Sequence, residues 1–432
     1  MAGVDKSPGS GLPALSFREQ DEPVAGSSEA ELRLPTVREC PFDPPAEYHR
    51  LRDEDPVARL AFPDGSHGWL LSRYEDVRSV LADPRISSAR GFTSSPIREL
   101  PPEALELRRI RPGQFIGMDP PEHTRYRRML TGQFTVRRMN ALVPRVERIV
   151  ADHLDAMRGM ARPVDLVKAF ALPVPSLVIC ELLGVPYADR ELFQRRSRAL
   201  LNMTTDGPTL VRLRDEMDDY MLSLVRAKQR QPADDLLSGL IGREDEQGRL
   251  SDEELINIGN LLLVAGHETT ANMLALGTLA LLAHPAQLAA LRADPTLVDQ
   301  GVEELLRYLT IVQFGLVRTA KEDLGIGGRS VHADAPIVAS LAAANRDPRQ
   351  FPDPDVLDLG RRYSPHLAFG HGVHQCLGQQ LARVEMKAGF RALFERFPTL
   401  RLAVPLDEVP MRDDMFIYGV HELPVTWDGD AR

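Results

Sequence analysis

The chain has 432 residues, with 62 Asp and Glu against 52 Lys and Arg, a formal net charge of −10. That length buries a large core, as one domain or two closely packed ones, and the acidic balance argues against general nucleic-acid binding and for solubility. Cys40, Cys180 and Cys376 are too few, odd in number and too widely spaced for a disulfide framework, and fit a reducing, cytoplasmic compartment.

Residues 1–33 are rich in Gly, Ser, Pro and charge and hold no apolar run. They predict a disordered tail ahead of a single domain over 34–432, with neither a secretory signal nor a membrane anchor. Pro45 to Asp53 suits a helix. Val57 to Ala61 and Gly68 to Ser72 suit two short strands across the turn at Pro63-Asp64-Gly65-Ser66. Tyr74 to Ala82 reads as a helix stopped by Asp83-Pro84. Residues 85–110 read as a long loop, a length that is often functional.

In the stretch Met118 to Arg128, Asp119 suits a cap and Pro120-Pro121 a helix start. His123 and Arg127 then share one face at i, i+4. Taken alone, the run is a basic, solvated helix face. From Asn140 to about Arg230 the pattern is mostly helical, with breaks at Pro163, Pro173-Val174-Pro175, Gly184-Val185-Pro186 and Asp206-Gly207-Pro208. Leu200 to Val211 reads as a loop between two helical segments.

Ser251-Asp252-Glu253-Glu254 is a capping box, and helical periodicity follows to Ala283. The middle, Leu261-Leu262-Leu263-Val264-Ala265, is apolar on all sides and should be buried. Asn257, Asn260, His267 and Glu268 interrupt the apolar run and argue against a membrane span. Inside it lies Ala265-Gly266-His267-Glu268-Thr269-Thr270. A glycine, an acid and two hydroxyls in a buried helix are locally costly, and such violations mark either function or a satisfied polar kink. Glu304 and Arg307 stand at i, i+3 on a later helix, a spacing shared by many surface ion pairs.

Near the C-terminal end the chain reads Phe369-Gly370-His371-Gly372-Val373-His374-Gln375-Cys376-Leu377-Gly378. The apolar spacing after Cys376 predicts a helix closed before Pro398. Cys376 therefore sits in a glycine-rich loop at a helix N-terminus, where backbone N–H groups favour a thiolate. Three readings of it are open: a small core residue, a zinc ligand beside His371 and His374, or an axial thiolate to heme iron.

The ten-residue stretch F-G-x-G-x-H-x-C-x-G resembles the heme-binding loop of the cytochrome P-450 family, the heme-thiolate monooxygenases of soluble, bacterial type. Ala265 to Thr270 resembles the family's oxygen-activation motif, and His123 with Arg127 its H-x-x-x-R pair. Glu304 with Arg307 resembles its buried E-x-x-R pair, and Ile311 to Ala320 the strand along the heme edge. The resemblance covers about residue 35 to the C-terminus. It implies a mainly α fold with small β-sheets, heme b held between the long helix and the Cys376 loop, and insertion of one oxygen atom from O₂ into an organic substrate. By the same resemblance Cys376 is the iron ligand. Ala265, Phe369 and His374 line the cofactor, and His123, Arg127 and Arg318 hold its propionates. Glu268 and Thr269 handle protons, and Gly266 leaves room for O₂. Glu304 and Arg307 are structural. The family's third arginine is expected at Val356, and Arg346, Arg361 or Arg362 must replace it.

The resemblance also assigns the pocket lining. The family's lining stretches here supply Ile86, Phe92, Leu172, Val174, Leu177, Leu262, Val264, Ala265, Ile311, Val312, Phe314, Phe416 and Ile417, with Thr93 and Gln313 as polar anchors. No cluster of arginines or lysines points to an anionic substrate. A bulky apolar natural product (a polyketide, macrolide or terpenoid) or a xenobiotic is the expected substrate class. The chain carries no G-x-G-x-x-G unit and no cysteine cluster, so electrons must come from a separate ferredoxin and an NAD(P)H-dependent reductase. Arg125, Arg128, Arg137, Arg138 and Arg383 are candidates for the face that receives the donor. A peroxide-using heme enzyme and a non-catalytic heme carrier or sensor are the competing functions.

Overall fold

Ser251 opens the long helix through the capping box read in the sequence. In a computed structural model, Glu254 N donates to Ser251 Oγ at 3.2 Å and Ser251 N to Glu254 Oε2 at 2.7 Å. The helix spans Asp252–Ala283, 32 residues, or about 48 Å at 1.5 Å per residue. The structure describes residues 31–91, 95–100, 102–107, 109–362 and 365–429. Residues 1–30 of the expected tail, and the pocket candidates Phe92 and Thr93, lie outside the described residues. Leu32–Arg432 forms one compact unit.

The long helix is buried along most of its length because helices pack on several sides of it. Val136–Arg158, Pro173–Leu183 and Gln379–Arg396 share its core through residues such as Leu154, Ile179, Leu274 and Phe390. Among the described residues no single helix is long and apolar enough to cross a membrane.

Small sheets complete the mainly α fold. The largest has five strands in the order Val57–Ala61, His67–Leu71, Pro336–Ala339, Leu316–Ala320, Ile86–Ser87. Ile337 stands opposite both Trp69 and Arg318, in parallel and antiparallel register respectively. Arg318 is thus carried by a strand paired on both sides rather than by a mobile loop.

Three local readings are corrected. Residues 85–110 are not one loop: they include the strand Ile86–Ser87 and short helices at Ser88–Gly91 and Pro102–Leu107. Asp119 does not cap the helix Glu122–Thr131. It accepts from Ser87 Oγ at 2.6 Å and from Ser88 N at 2.8 Å, tying that strand end to the helix entry. Pro173 opens a helix instead of breaking one, since a proline at the first turn removes only an N–H that had no partner there.

Glu304 and Arg307 form a buried bidentate pair at 2.8 Å. The missing third arginine is supplied by Arg361, whose Nε lies 3.1 Å from Glu304 Oε1. Val356 contributes its carbonyl, which accepts from both Arg307 and Arg361. Arg346 pairs elsewhere, with Asp355 and Asp43, and Arg362 is exposed.

Candidate functional site

The Cys376 loop is a run of tight turns. Cys376 N donates to Phe369 O at 2.9 Å, Gly370 N to Leu367 O at 2.8 Å and Gln375 N to Gly372 O at 3.1 Å. Gly372 has φ 74°, and a Cβ there would lie 2.3 Å from Leu81 O, so the position requires glycine for both shape and space. Cys376 is exposed, yet burial is the largest influence on its thiol and pushes it up. Its sulfur is therefore closely surrounded by protein while still open to a ligand. Opposing burial are the backbone N–H groups of Gly378 and Gln379 and the charges of Arg127 and Arg383. These favour the thiolate, but burial outweighs them and the thiol stays raised. Cys180, by contrast, is an inert core thiol that burial pushes up to about 12. Among the described residues no three His, Cys, Asp or Glu side chains are grouped to hold a metal ion, so the zinc reading gains no ligand set.

Halfway along the long helix, Ala265 is exposed and Thr269 half-buried, while Leu262, Leu263, His267, Glu268 and Thr270 are buried. One turn separates Ala265 from Thr269, so both belong to a face that fronts open space. Thr269 Oγ1 donates back to Ala265 O at 2.9 Å. Glu268 points elsewhere. Its Oε2 accepts from Arg412 Nη2 at 3.2 Å, its Oε1 lies 3.8 Å from His267 Nε2, and Asn272 bridges Arg412 Nη1 and the Glu268 carbonyl. On the side where a side chain would stand, Gly266 faces the neighbouring helix. A Cβ there would lie 2.7 Å from Ile179, so this glycine lets the helix Pro173–Leu183 approach closely.

A cluster of cationic and polar groups borders the loop. His123 is 2 % exposed, neither ring nitrogen has a hydrogen-bond partner among the described residues, and burial pushes it down to about 4. Its ring lies 4.1 Å from that of His374, which burial, with the nearby His123 and Arg318, pushes down to about 3. Arg318 is pushed down to about 10 by burial, and among the described residues its only hydrogen bond goes to the neighbouring Val317 carbonyl. Arg127 is half-buried and senses Cys376. The nearest acid, Asp119, is already engaged by Ser87 and Ser88. A buried histidine beside half-buried cations that have no acid of their own among the described residues fits a ligand that brings carboxylates. Heme, with two propionates and an iron that would accept a thiolate, has that chemistry.

The family model for cytochrome P450 matches residues 70–426. The chain belongs to the cytochrome P450 family. It is 46% identical to pentalenic acid synthase of Streptomyces avermitilis, over 93% of this chain and 98% of that one. It is 45% identical to vitamin D3 dihydroxylase of Streptomyces griseolus, over 91% and 96%. The crystal structure of CYP105P1 in complex with filipin I superposes with a TM-score of 0.87 at 44% identity, covering 92% of this chain and 99% of that one. The protein is a heme-dependent monooxygenase of the bacterial P450 type, and its fold is the P450 fold.

The residues expected to line the P450 pocket divide into two groups. Val174 and Phe314 are core residues, 0% and 3% exposed; Phe314 packs edge-on to Phe416 with ring centroids 6.0 Å apart. Leu262, Ile311, Ile86 and Ile417 are also buried. Gln313 is not an open polar anchor, since its Nε2 donates to Met415 O at 2.6 Å and fastens the C-terminal turn. Leu172, Leu177, Val264, Val312 and Phe416 remain half-buried, and Ala265 is exposed.

The donor-facing candidates divide in the same way. Arg125 is paired with Asp245 and Glu254, and Arg383 binds Glu303 at 2.6 and 2.9 Å while covering the Phe369 ring at 4.6 Å. Arg128, Arg137 and Arg138 are exposed. Arg128 lines a recess of about 490 Å³ with Arg127, His123 and the exposed Val373 of the Cys376 loop.

Sequence reasoning missed Arg412, Asn272, Glu303 and His366. Asn272 lies one turn beyond Glu268 and was open to detection as another polar residue in a buried helix. The other three are brought in by long-range packing and carry no local signal.

Proposed function

We propose that this P450 binds heme b (iron protoporphyrin IX) through the Cys376 thiolate and oxidises a mostly apolar natural product or xenobiotic in the cytoplasm. Its electrons come from a ferredoxin and an NAD(P)H-dependent ferredoxin reductase. The observation that carries this reading is the enclosed thiol bordered by His123, Arg127, Arg318 and His374 without a committed acid. When bound, heme supplies the oxidation itself, sending one atom of O₂ to substrate and the other to water.

The chain's own residues bind, orient and handle protons. His123 and His374 act as neutral donors, and Arg127 and Arg318 as cations, toward the two propionates. Phe369 shields the loop on the side covered by Arg383. Thr269 holds a proton at Oγ1 on the open face of the long helix. Glu268, its neighbour, helps relay protons from solvent, and Arg412 holds its carboxylate in the resting arrangement. Leu172, Val264, Ala265 and Val312 confine the substrate mainly by burial.

Relatives named for pentalenic acid and vitamin D3, and a structural neighbour holding filipin I, support a bulky terpenoid or polyketide class. Free, widely spaced cysteines support the cytoplasm. Arg128, which shares a recess with Val373, and the exposed Arg137 and Arg138 offer the donor basic charge on an acidic protein.

The test is turnover with ferredoxin, reductase and NAD(P)H against turnover with hydrogen peroxide alone. The proposal expects the complete electron chain to support product formation well beyond peroxide. Equal or better turnover with peroxide alone would replace it by the peroxygenase reading.

A further inference from the structure

We propose that the recess beside the helix Arg190–Leu201 binds the carboxylate of an otherwise apolar molecule. The recess holds about 530 Å³, and Leu172, Gln194, Arg195, Arg198, Asn202 and Thr204 are among its lining. It deepens the proposed function by adding an acidic group to the expected apolar substrate, and it rests on that reading.

Arg195 and Arg198 lie at i, i+3 on one helix and are both exposed. Among the described residues neither has an ion pair or a hydrogen bond. Their neighbours on the same helix are committed: Arg196 binds Glu216 at 2.9 Å, and Arg190 stacks on Tyr187 at 4.6 Å. Glu191, the acid at the recess, lies 3.8 Å from Arg190. Two like charges one turn apart repel each other. A carboxylate between them relieves that repulsion and matches the planar guanidinium forks, while Leu172 and Ala199 offer apolar surface to the rest of the molecule.

The recess is also joined to the walls of the reaction site. Asn202 Nδ2 donates to Asp414 at 2.8 Å, Met203 N to Asp414 O at 2.9 Å and Phe416 N to Leu201 O at 3.0 Å. That C-terminal turn carries Arg412 to Glu268 and Ile417 to its bridge with Val312. On the inner side, Gln194 donates to Ser176 on the helix whose Ile179 abuts Gly266. The charge of Arg198 is felt at Arg412. In the sequence Arg195-Arg196-Ser197-Arg198 shows only as part of a basic helical run. The expectation that no basic cluster serves an anionic substrate therefore does not extend to this recess.

The test uses the heme-loaded protein and two probes of equal apolar bulk, dodecanoate and its methyl ester, in equilibrium dialysis. Wild type should bind the acid about tenfold more tightly than the ester, and the preference should shrink as salt rises. Arg195→Gln/Arg198→Gln should lose most of that preference and keep ester affinity, whereas Arg195→Lys/Arg198→Lys should keep part of it. The heme spectrum, read in parallel, separates two sources of the carboxylate. A shift marks one molecule that also reaches the heme side, and its absence marks a ligand confined to the recess. Equal affinity for acid and ester, no binding of either, or an acid preference that survives both Gln substitutions overturns the proposal. Dialysis reads neither iron ligation nor turnover, so this inference can fail while the proposed function stands.

Discussion

Arg412 closes on Glu268 at 3.2 Å, and the two are 5% and 2% exposed. The acid at the centre of the long helix is thus neutralised by a residue 144 positions later in the chain. Removing one member of a buried pair leaves the other charge uncompensated, at a cost of ~3–5 kcal/mol. Arg412→Leu should therefore be strongly destabilised in denaturant unfolding. Glu268→Gln combined with Arg412→Leu should recover part of that loss. A double variant less stable by the full sum of the single effects would mean that the two groups do not interact.

Thr269→Ala removes a hydroxyl on the open face of the same helix, and among the described residues its only hydrogen bond runs to Ala265 O in its own helix. Heme content and substrate-induced spectral change should stay near wild type. Product per NAD(P)H should fall, with product formation lowered on the order of 10²-fold and peroxide made in its place. Tightly coupled turnover in the variant would remove Thr269 from proton delivery.

How much of this was legible in the sequence depends on distance along the chain. The capping box at Ser251, the glycine loop at Cys376 and the pair His123 with Arg127 are local patterns, and the structure forms all three elements. The burial of Val174 and Phe314, the replacement of Val356 by Arg361 and the engagement of Arg383 by Glu303 are set by packing between distant segments. Glycine shows the same limit. Gly372 is required by its own backbone and by Leu81, whereas the role of Gly266 could be read only once Ile179 was seen against it.

Glu303 should make the segment around the Cys376 loop sensitive to acid. Burial raises its carboxyl, but hydrogen bonds from His366 and Arg383 outweigh burial and hold it at about 2, against an ordinary 4.5. A folded value below the unfolded one stabilises the native state above about pH 4.5, and that stability is lost as pH falls toward 2. The shift is worth roughly 3 kcal/mol at 1.36 kcal/mol per unit. Glu303→Gln should be less stable than wild type at pH 7, with the gap narrowing as pH falls from 5 to about 3. A gap independent of pH would contradict this assignment.

Reduction by an acidic ferredoxin should slow as ionic strength rises, because exposed charges are screened within about 10 Å at 0.1 M salt. Charge reversal at Arg128, Arg137 and Arg138 should slow it further and flatten the salt dependence. Reversal at Arg125, which is committed to Asp245 and Glu254, should instead reduce stability. Reduction rates indifferent both to salt and to the three exposed arginines would place the docking face elsewhere.

The central claim is that Cys376 ligates heme iron as a thiolate. The most direct measurement is the absorption spectrum of the reduced carbon monoxide complex, compared between wild type and Cys376→Ala. Wild type should show the long-wavelength band of thiolate ligation, and the variant should lose it even when supplied with heme. Survival of that band in Cys376→Ala would contradict the account.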